Sequence, residues 1–370
     1  MLPLLLALAA SFLVTLWVVR SSKAHAHLSH DDDVSGPQKF HAHPVPRIGG
    51  LSILGGLALG AAWLTWPRSA AANALPMLLL ACGLPAFAAG LVEDMTKNVS
   101  PRRRLLATAV SAALAVWLVD AVIVRTELPG LDSVVAWPLG AAAVTVFVVA
   151  GVANAINIID GFNGLASMCV LIMLASVAYV AHAVGDPLIA ALALAGVGAI
   201  LGFFVWNFPA GLVFLGDGGA YFLGFYLAEL AILLLHRNPE VSPMFPLLLC
   251  IYPVFETLFS IYRRKLLRGR PAGMPDGAHL HSLIYRRFLR WAAGERTARE
   301  LTRRNSMTSP YLWMLCMASV IPATLWWDHT PLLMAFIALF AVSYLSLYWR
   351  IVRFRAPRWF GPRRGARHQG

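Results

Sequence analysis

Runs of roughly 20 apolar residues, parted by short polar segments, fill almost the whole of this sequence. A bilayer core about 30 Å thick is crossed by about 20 residues of α-helix. The pattern therefore predicts an all-α, polytopic integral membrane protein with about eleven transmembrane helices, near residues 2–19, 48–66, 75–92, 105–124, 135–153, 166–184, 188–206, 220–236, 244–262, 310–327 and 331–349. The pair around 166–206 is divided only by the turn-forming Gly185-Asp186-Pro187. Absorbing that turn into one helix would invert the side assigned to everything after it. No direct or inverted repeat stands out, which disfavours a transporter assembled from two halves.

Positive charge sets the expected orientation, because short cytoplasmic loops concentrate Lys and Arg. With the N-terminus outside, the inward loops carry 27 of the 30 Lys and Arg residues, leaving Arg68, Arg125 and Arg237 outside. The expectation is an N-terminus outside and a C-terminus in the cytoplasm. Composition agrees: 59% hydrophobic, 13% charged and a mean hydropathy of +0.68 exclude an ordinary soluble domain. The net charge of +12 is then a topological bias and an attraction to anionic membrane lipids, with no nucleic-acid partner expected. The basic tail 350–370, with Trp359 and Phe360 among its arginines, suits either the inner leaflet surface or a solvated positive-inside anchor. The first span lacks a basic leading region and a small-residue cleavage site before Arg20, so a retained helix is expected. Cys82, Cys169, Cys250 and Cys316 fall within apolar spans at no ligand spacing and read as small hydrophobes.

Four polar segments stand at the ends of these spans, and the expected topology brings all four to one membrane face. They are Glu93-Asp94-Met95-Thr96-Lys97, Asn154 to Gly164, Phe214 to Gly219, and Asp276 to His281. Carboxylates are expensive near lipid, so acids set among Gly, Asn and His at helix ends invite a functional reading. In the first segment, Glu93 and Asp94 suit a divalent cation or a proton, and Lys97 suits phosphate. The competing reading is a capped interfacial turn before the positive-inside run Arg102 to Arg104. In the second, Asn154, Asn157, Asp160 and Asn163 recur every third residue beside Gly161 and Gly164. They offer amides to a base or sugar and a carboxylate to a metal or hydroxyl, or else an interhelical network.

In the third segment, Asn207 and a proline-broken loop lead to Asp217, set between glycines at a helix start. There it either caps the helix or holds a hard cation shared with phosphate oxygens. In the fourth, His279 and His281 sit among arginines, an arrangement for a diphosphate; a tetrahedral zinc set is incomplete. His25, His27, His30, His41 and His43 beside Asp31 to Asp33 read as a solvated linker with some capacity for adventitious metal. Arg47, in Pro46-Arg47-Ile48-Gly49-Gly50, stands at a membrane-entry turn suited to a lipid phosphate.

In this order, and at loops of one parity, the motifs from Pro46 through His281 resemble those of the polyprenyl-phosphate N-acetylhexosamine-1-phosphate transferases, glycosyltransferase family 4. Within it, the chain looks most like the undecaprenyl-phosphate N-acetylglucosamine-1-phosphate transferase branch. On that resemblance Asp94 and Lys97 match the second acid and the lysine of an Asp-Asp-x-x-Lys motif, with Glu93 replacing the first Asp. Asp160 and Asn163 fall on the acidic positions of Asp-Gly-x-Asp-Gly, Asn163 replacing an Asp, after matching Asn154 and Asn157. Asp217 matches the acid of Gly-Asp-x-Gly, which the family uses to hold Mg²⁺, with Asn207 before it and Ala220 where Ser is common. His279 and His281 match the first two histidines of His-x-His-His, and Ser282 replaces the third.

The resemblance implies a Mg²⁺-dependent enzyme, with Mn²⁺ as the alternative ion. It would transfer N-acetylhexosamine-1-phosphate, GlcNAc-1-phosphate by preference, from a UDP-sugar to undecaprenyl phosphate, releasing UMP and starting a cell-envelope polysaccharide. Catalytic roles are implied for Asp94, Lys97, Asp160, Asp217 and His279; substrate contacts for Arg47, Glu93, Asn154, Asn157, Asn163, Asn207, His281 and Ser282; and metal ligation for Asp217 and Asp94. A single transferase domain over 1–349 is implied, with site loops near 93–104, 153–165, 207–219 and 263–309, followed by the tail 350–370. Its place would be a bacterial inner membrane, with the site facing the cytoplasm; a homodimer is left open. The alternatives are a phospho-N-acetylmuramoyl-pentapeptide transferase within the family and an ion-coupled transporter outside it. The inward tail and the His-x-His pair favour the N-acetylglucosamine branch.

Overall fold

The computed structural model describes residues 1–22, 45–65, 74–267, 278–288 and 297–353. The cluster from His25 to His43, Asp276, and the tail beyond Arg353 lie outside the described residues. The chain forms α1 (Leu2–Arg20), α2 (Gly50–Thr65), α3 (Leu75–Thr96), α4 (Pro101–Val119), α5 (Leu131–Val135), α6 (Pro138–Ile159) and α7 (Leu165–Ala183). It continues as α8 (Pro187–Asn207), α9 (Gly216–Arg237), α10 (Met244–Leu249), α11 (Ile251–Tyr262), α12 (Leu280–Leu283), α13 (Ala298–Leu325) and α14 (Thr330–Val352). Single π-helical turns follow α11 and α12.

Eight of these, α1, α3, α6, α7, α8, α9, α13 and α14, are long and apolar enough to cross a membrane. The other three expected spans also fall on helices. One is the shorter α2, one is α4, whose first turn carries Arg102 to Arg104, and one is the pair α10 and α11, broken at Cys250. The chain is an all-α, multi-pass membrane protein. Large apolar side chains such as Trp117, Phe147, Leu339 and Val342 are exposed, as lipid contact allows and water would not.

The helix starts are legible locally. Pro101 follows Ser100, whose hydroxyl accepts from the Arg103 N–H, and Pro187 follows Asp186, whose carboxylate accepts from the Ile189 N–H at 3.2 Å. The turn Gly185-Asp186-Pro187 is thus a real break between α7 and α8. Burial pushes the Asp186 carboxyl up, but hydrogen bonds from Arg237 and Ile189 more than offset it and leave it below the usual carboxylate range.

The membrane-length stretch of α9 is entirely buried, and α3, α6 and α7 pack around it. On one flank α8 lies against α1 and α2, with Gly202 set close to the α1 backbone; small residues let helices approach in lipid. All four cysteines are buried and free, as small hydrophobes would be. Polar groups gather at the two ends of the bundle. One end holds Asp186, Arg237 and Asn238, with Arg125 donating to the Val241 carbonyl. The other holds the end of α3, the end of α6 and the start of α9.

Candidate active site

The first turn of α9 is the centre of the site. Gly216 takes φ +76°, a left-handed conformation that side-chain-bearing residues rarely adopt. A Cβ there would lie 2.0 Å from the Arg47 carbonyl oxygen and 2.6 Å from Asp94 Oδ2. The turn is stitched to the entry of α2: the Phe214 N–H donates to the Pro46 carbonyl at 2.8 Å, and the Gly49 and Gly50 N–H groups donate to the Phe214 and Leu215 carbonyls at 3.0 Å. Helix starts leave N–H groups without partners, and here no side chain of α9's own N-cap supplies one. Asp94, buried at the end of α3, does so instead. Its Oδ1 accepts from the Asp217 N–H and its Oδ2 from the Gly218 N–H, both at 3.0 Å.

Asp217 projects from that turn into a ring of donors. Its Oδ1 accepts from Asn157 Nδ2 at 3.1 Å and lies 3.7 Å from Arg47 Nη2, while its Oδ2 pairs with Arg104. Arg47 Nε also lies 3.6 Å from Asp94 Oδ1. Asp160 follows Asn157 by one turn at the end of α6. Burial and the charge of Asp217 push its carboxyl up to about 8, against the pull of Arg47. A carboxyl raised in this way marks a place where a further positive charge would be favourable.

Across the Asp160-Gly161 turn lies a second cluster. Glu256, fully buried on α11, accepts from His279 Nδ1 at 2.9 Å, from the Leu280 N–H at 3.2 Å, and from the Tyr344 hydroxyl of α14. Arg264 Nη2 lies 3.0 Å from His279 Nε2. The His279 and His281 rings run parallel at 5.2 Å, and His281 meets Phe162 edge-on at 5.5 Å. A Cβ on Gly161 would lie 3.3 Å from His281 Nε2, so the histidines close on the turn that carries Asp160.

Two expected substrate contacts have a different place. Asn207 ties backbones together: its Oδ1 accepts from the Gly164 N–H at 2.6 Å and its Nδ2 donates to the Val213 carbonyl at 2.7 Å. Asn163 is buried against α13. Its N–H donates to Asn305 Oδ1 at 2.9 Å, its Nδ2 to Ser306 Oγ at 3.1 Å, and its carbonyl accepts from Ser309 Oγ at 2.6 Å. The Ser306 hydroxyl spends its own hydrogen on the Pro209 carbonyl. A carboxylate at 163 would therefore face a lone pair in a buried site, which gives the Asn a physical reason. Asn163→Asp is expected to destabilise the protein by about 2 kcal/mol, read as a fall in Tm of the detergent-purified protein; an unchanged Tm would show that the latch contributes nothing.

Asp94 also differs from expectation. The resemblance placed it at the metal and the lipid phosphate; in the structure both its oxygens accept from backbone N–H groups, while Asp217 meets the side chains of Asn157, Arg47 and Arg104. Glu93 folds back, its Oε2 accepting from the Val99 N–H at 2.7 Å. Lys97 is exposed at the left-handed cap of α3, and Asn154 lies half-buried one turn before Asn157. His281 and Ser282 are both buried, the Ser282 hydroxyl having no hydrogen-bond partner among the described residues. Arg104, Glu256, Tyr344 and Asn305 were not anticipated. Arg104 was hidden in a run of three arginines, but Glu256 carried a signal, an acid inside an apolar span.

Among the described residues no three Asp, Glu, His or Cys side chains are arranged to enclose a metal ion. Mg²⁺ needs no such cage, since one or two carboxylates with substrate phosphates and water complete its shell. Asp217 and Asp160, hard oxygen donors on adjoining turns, fit that requirement.

Residues 76–235 match the sequence profile of glycosyl transferase family 4. Over 285 residues the chain is 28% identical to a probable undecaprenyl-phosphate N-acetylglucosaminyl 1-phosphate transferase of Bacillus subtilis, covering 76% of this chain and 77% of the relative. It is 29% identical to the undecaprenyl-phosphate alpha-N-acetylglucosaminyl 1-phosphate transferase of Thermotoga maritima, over 69% of this chain and 72% of that one. Similarity extends to a phospho-N-acetylmuramoyl-pentapeptide-transferase of Geobacillus kaustophilus, 28% identical over 62% of this chain and 75% of the relative.

Proposed function

The chain belongs to glycosyl transferase family 4, and from that premise we propose that it transfers GlcNAc-1-phosphate from UDP-GlcNAc to a polyprenyl phosphate, releasing UMP. The observation that carries this reading is the convergence of Asp217, Asp160, Asn157, Arg47 and Arg104 at one end of the bundle, with His279 and Arg264 across the Asp160-Gly161 turn. A polyprenyl phosphate lies in the bilayer and a sugar nucleotide in water, so the reaction needs a site at the membrane face. The loop charges argue that this face is cytoplasmic, and the bacterial relatives are the ground for placing it in a bacterial inner membrane.

In the proposed reaction an oxygen of the lipid phosphate attacks the β-phosphorus of the UDP-sugar and UMP departs. Such transfers depend on positioning and on balancing charge over the phosphate oxygens. Arg47 and Arg104 stand beside Asp217, ready to bind the diphosphate and the incoming lipid phosphate. His279, His281 and Arg264 approach from the other side, where the charge of departing UMP is offset. Mg²⁺ (or Mn²⁺), held by Asp217 with Asp160, would supply positive charge to the diphosphate oxygens. Residues 1–349 act in this reading as one transferase unit, with the basic segment beyond as a membrane-surface tail. An ion-coupled transporter would gather its acids near mid-bilayer, whereas Asp94, Asp160 and Asp217 gather at helix ends.

Membranes containing the protein, given undecaprenyl phosphate and Mg²⁺, are expected to exchange radiolabelled UMP into UDP-GlcNAc. Absence of exchange with every UDP-N-acetylhexosamine tried would sink the transferase reading. Exchange confined to the muramoyl-pentapeptide nucleotide would move the enzyme to the other branch.

A further inference from the structure

His279 is held from two sides by groups whose donor and acceptor roles chemistry settles. An ionised carboxylate only accepts, so Glu256 Oε1, 2.9 Å from Nδ1, calls for the imidazole proton on Nδ1. A guanidinium only donates, so Arg264 Nη2, 3.0 Å from Nε2, calls for a lone pair there. Both contacts agree on a single tautomer, with Nε2 turned to the arginine side of the site. Glu256 is fixed in its turn. It is fully buried, and its three partners, His279, the Leu280 N–H and the Tyr344 hydroxyl, are all donors, the complement of an ionised carboxylate.

Tyr344 lies on α14, the last helix among the described residues, most of whose membrane-length stretch is not buried within the protein. One turn further on, the Tyr348 hydroxyl accepts from Arg263 Nη1 at 2.8 Å and donates to the Ala278 carbonyl at 3.2 Å, beside His279. Helix α14 therefore does more than cross the membrane.

On the reading that this cluster meets the diphosphate, we propose that Glu256 is the positioning residue for His279, and that Tyr344 of α14 positions Glu256, so that the Nε2 lone pair accepts from Arg264 and holds that guanidinium toward the substrate phosphates.

The test compares the purified parent with E256Q, E256D, Y344F, H279A and the double variant E256Q/H279A in transfer from UDP-GlcNAc. E256Q is expected to lower kcat by about 10–100-fold, the usual scale for removing the partner that orients a functional histidine, with KM for the UDP-sugar changing far less. E256D should recover part of the loss, and Y344F should lose less than E256Q. Adding E256Q to H279A should cost nothing further, because residues that act through one another are not additive. A kcat for E256Q equal to the parent's, or losses that add in full in the double variant, would overturn the proposal. A parent inactive with every UDP-N-acetylhexosamine tried would sink the transferase reading alone, since the tautomer can still be read by ¹⁵N NMR of histidine-labelled protein, with H279Q identifying the signal. That measurement also decides the case if E256Q fails to fold: a protonated Nδ1 and bare Nε2 support the proposal, and the reverse tautomer overturns it.

Discussion

Asp217→Asn is expected to reduce transfer by at least about 10³-fold while the protein still inserts and purifies as the parent does. Loss of one preorganised electrostatic group at a reacting centre commonly costs 10² to 10³-fold, and this carboxylate serves two purposes. It orders Arg47 and Arg104 around one point, and in the proposed reaction it holds the metal ion. The substitution is nearly isosteric, and an amide oxygen still accepts from Asn157, so the turn itself should persist. Initial rates at rising Mg²⁺, with gel filtration as the check on folding, measure the effect. Near-parental activity at saturating Mg²⁺ would refute the metal role.

Gly216→Ala is expected to do damage of smaller size without touching any charge. The added methyl would sit 2.0 Å from the Arg47 carbonyl oxygen, on a residue whose φ of +76° already disfavours a side chain. Left-handed strain of about 1–2 kcal/mol and overpacking of about 1–3 kcal/mol would be relieved by shifting the α9 turn away from α2 and Asp94. Asp217 is the next residue, so activity should fall about 100-fold, since misplacement by about 1 Å can cost that much. Tm of the purified variant should fall as well. Parental turnover would show that the turn relaxes without moving Asp217.

The fold was legible because the bilayer demands long apolar helices, and Gly185-Asp186-Pro187 carried its own break signal. The convergence of Asp94, Asn157, Asp160, Asp217 and His279 was legible for a related reason: acids and imidazoles at helix ends of one parity must share a face. What each side chain does there was less legible. Asp94 reads as a ligand in one dimension and as the cap of another helix in three, because its partners are N–H groups 123 and 124 residues away. Asn163 and Asn207 look like substrate amides until α13 and the loop after α8 supply their partners. Tyr344 carried no signal at all, since a tyrosine in the last span is ordinary. Glu256 was the exception, an ionisable group within an apolar run whose burial cost pointed to a partner that spacing could not name.

The Asn163 latch bears on how this enzyme can be recombined with its relatives. The loop 160–164 offers donors and an acceptor that Asn305, Ser306 and Ser309 complement from a segment more than 140 residues later. A loop grafted from a relative with Asp at that position would arrive without its matching helix face. The productive unit of exchange is therefore discontinuous, joining the loop to the start of α13, and crossovers that part the two should be depleted among functional chimeras.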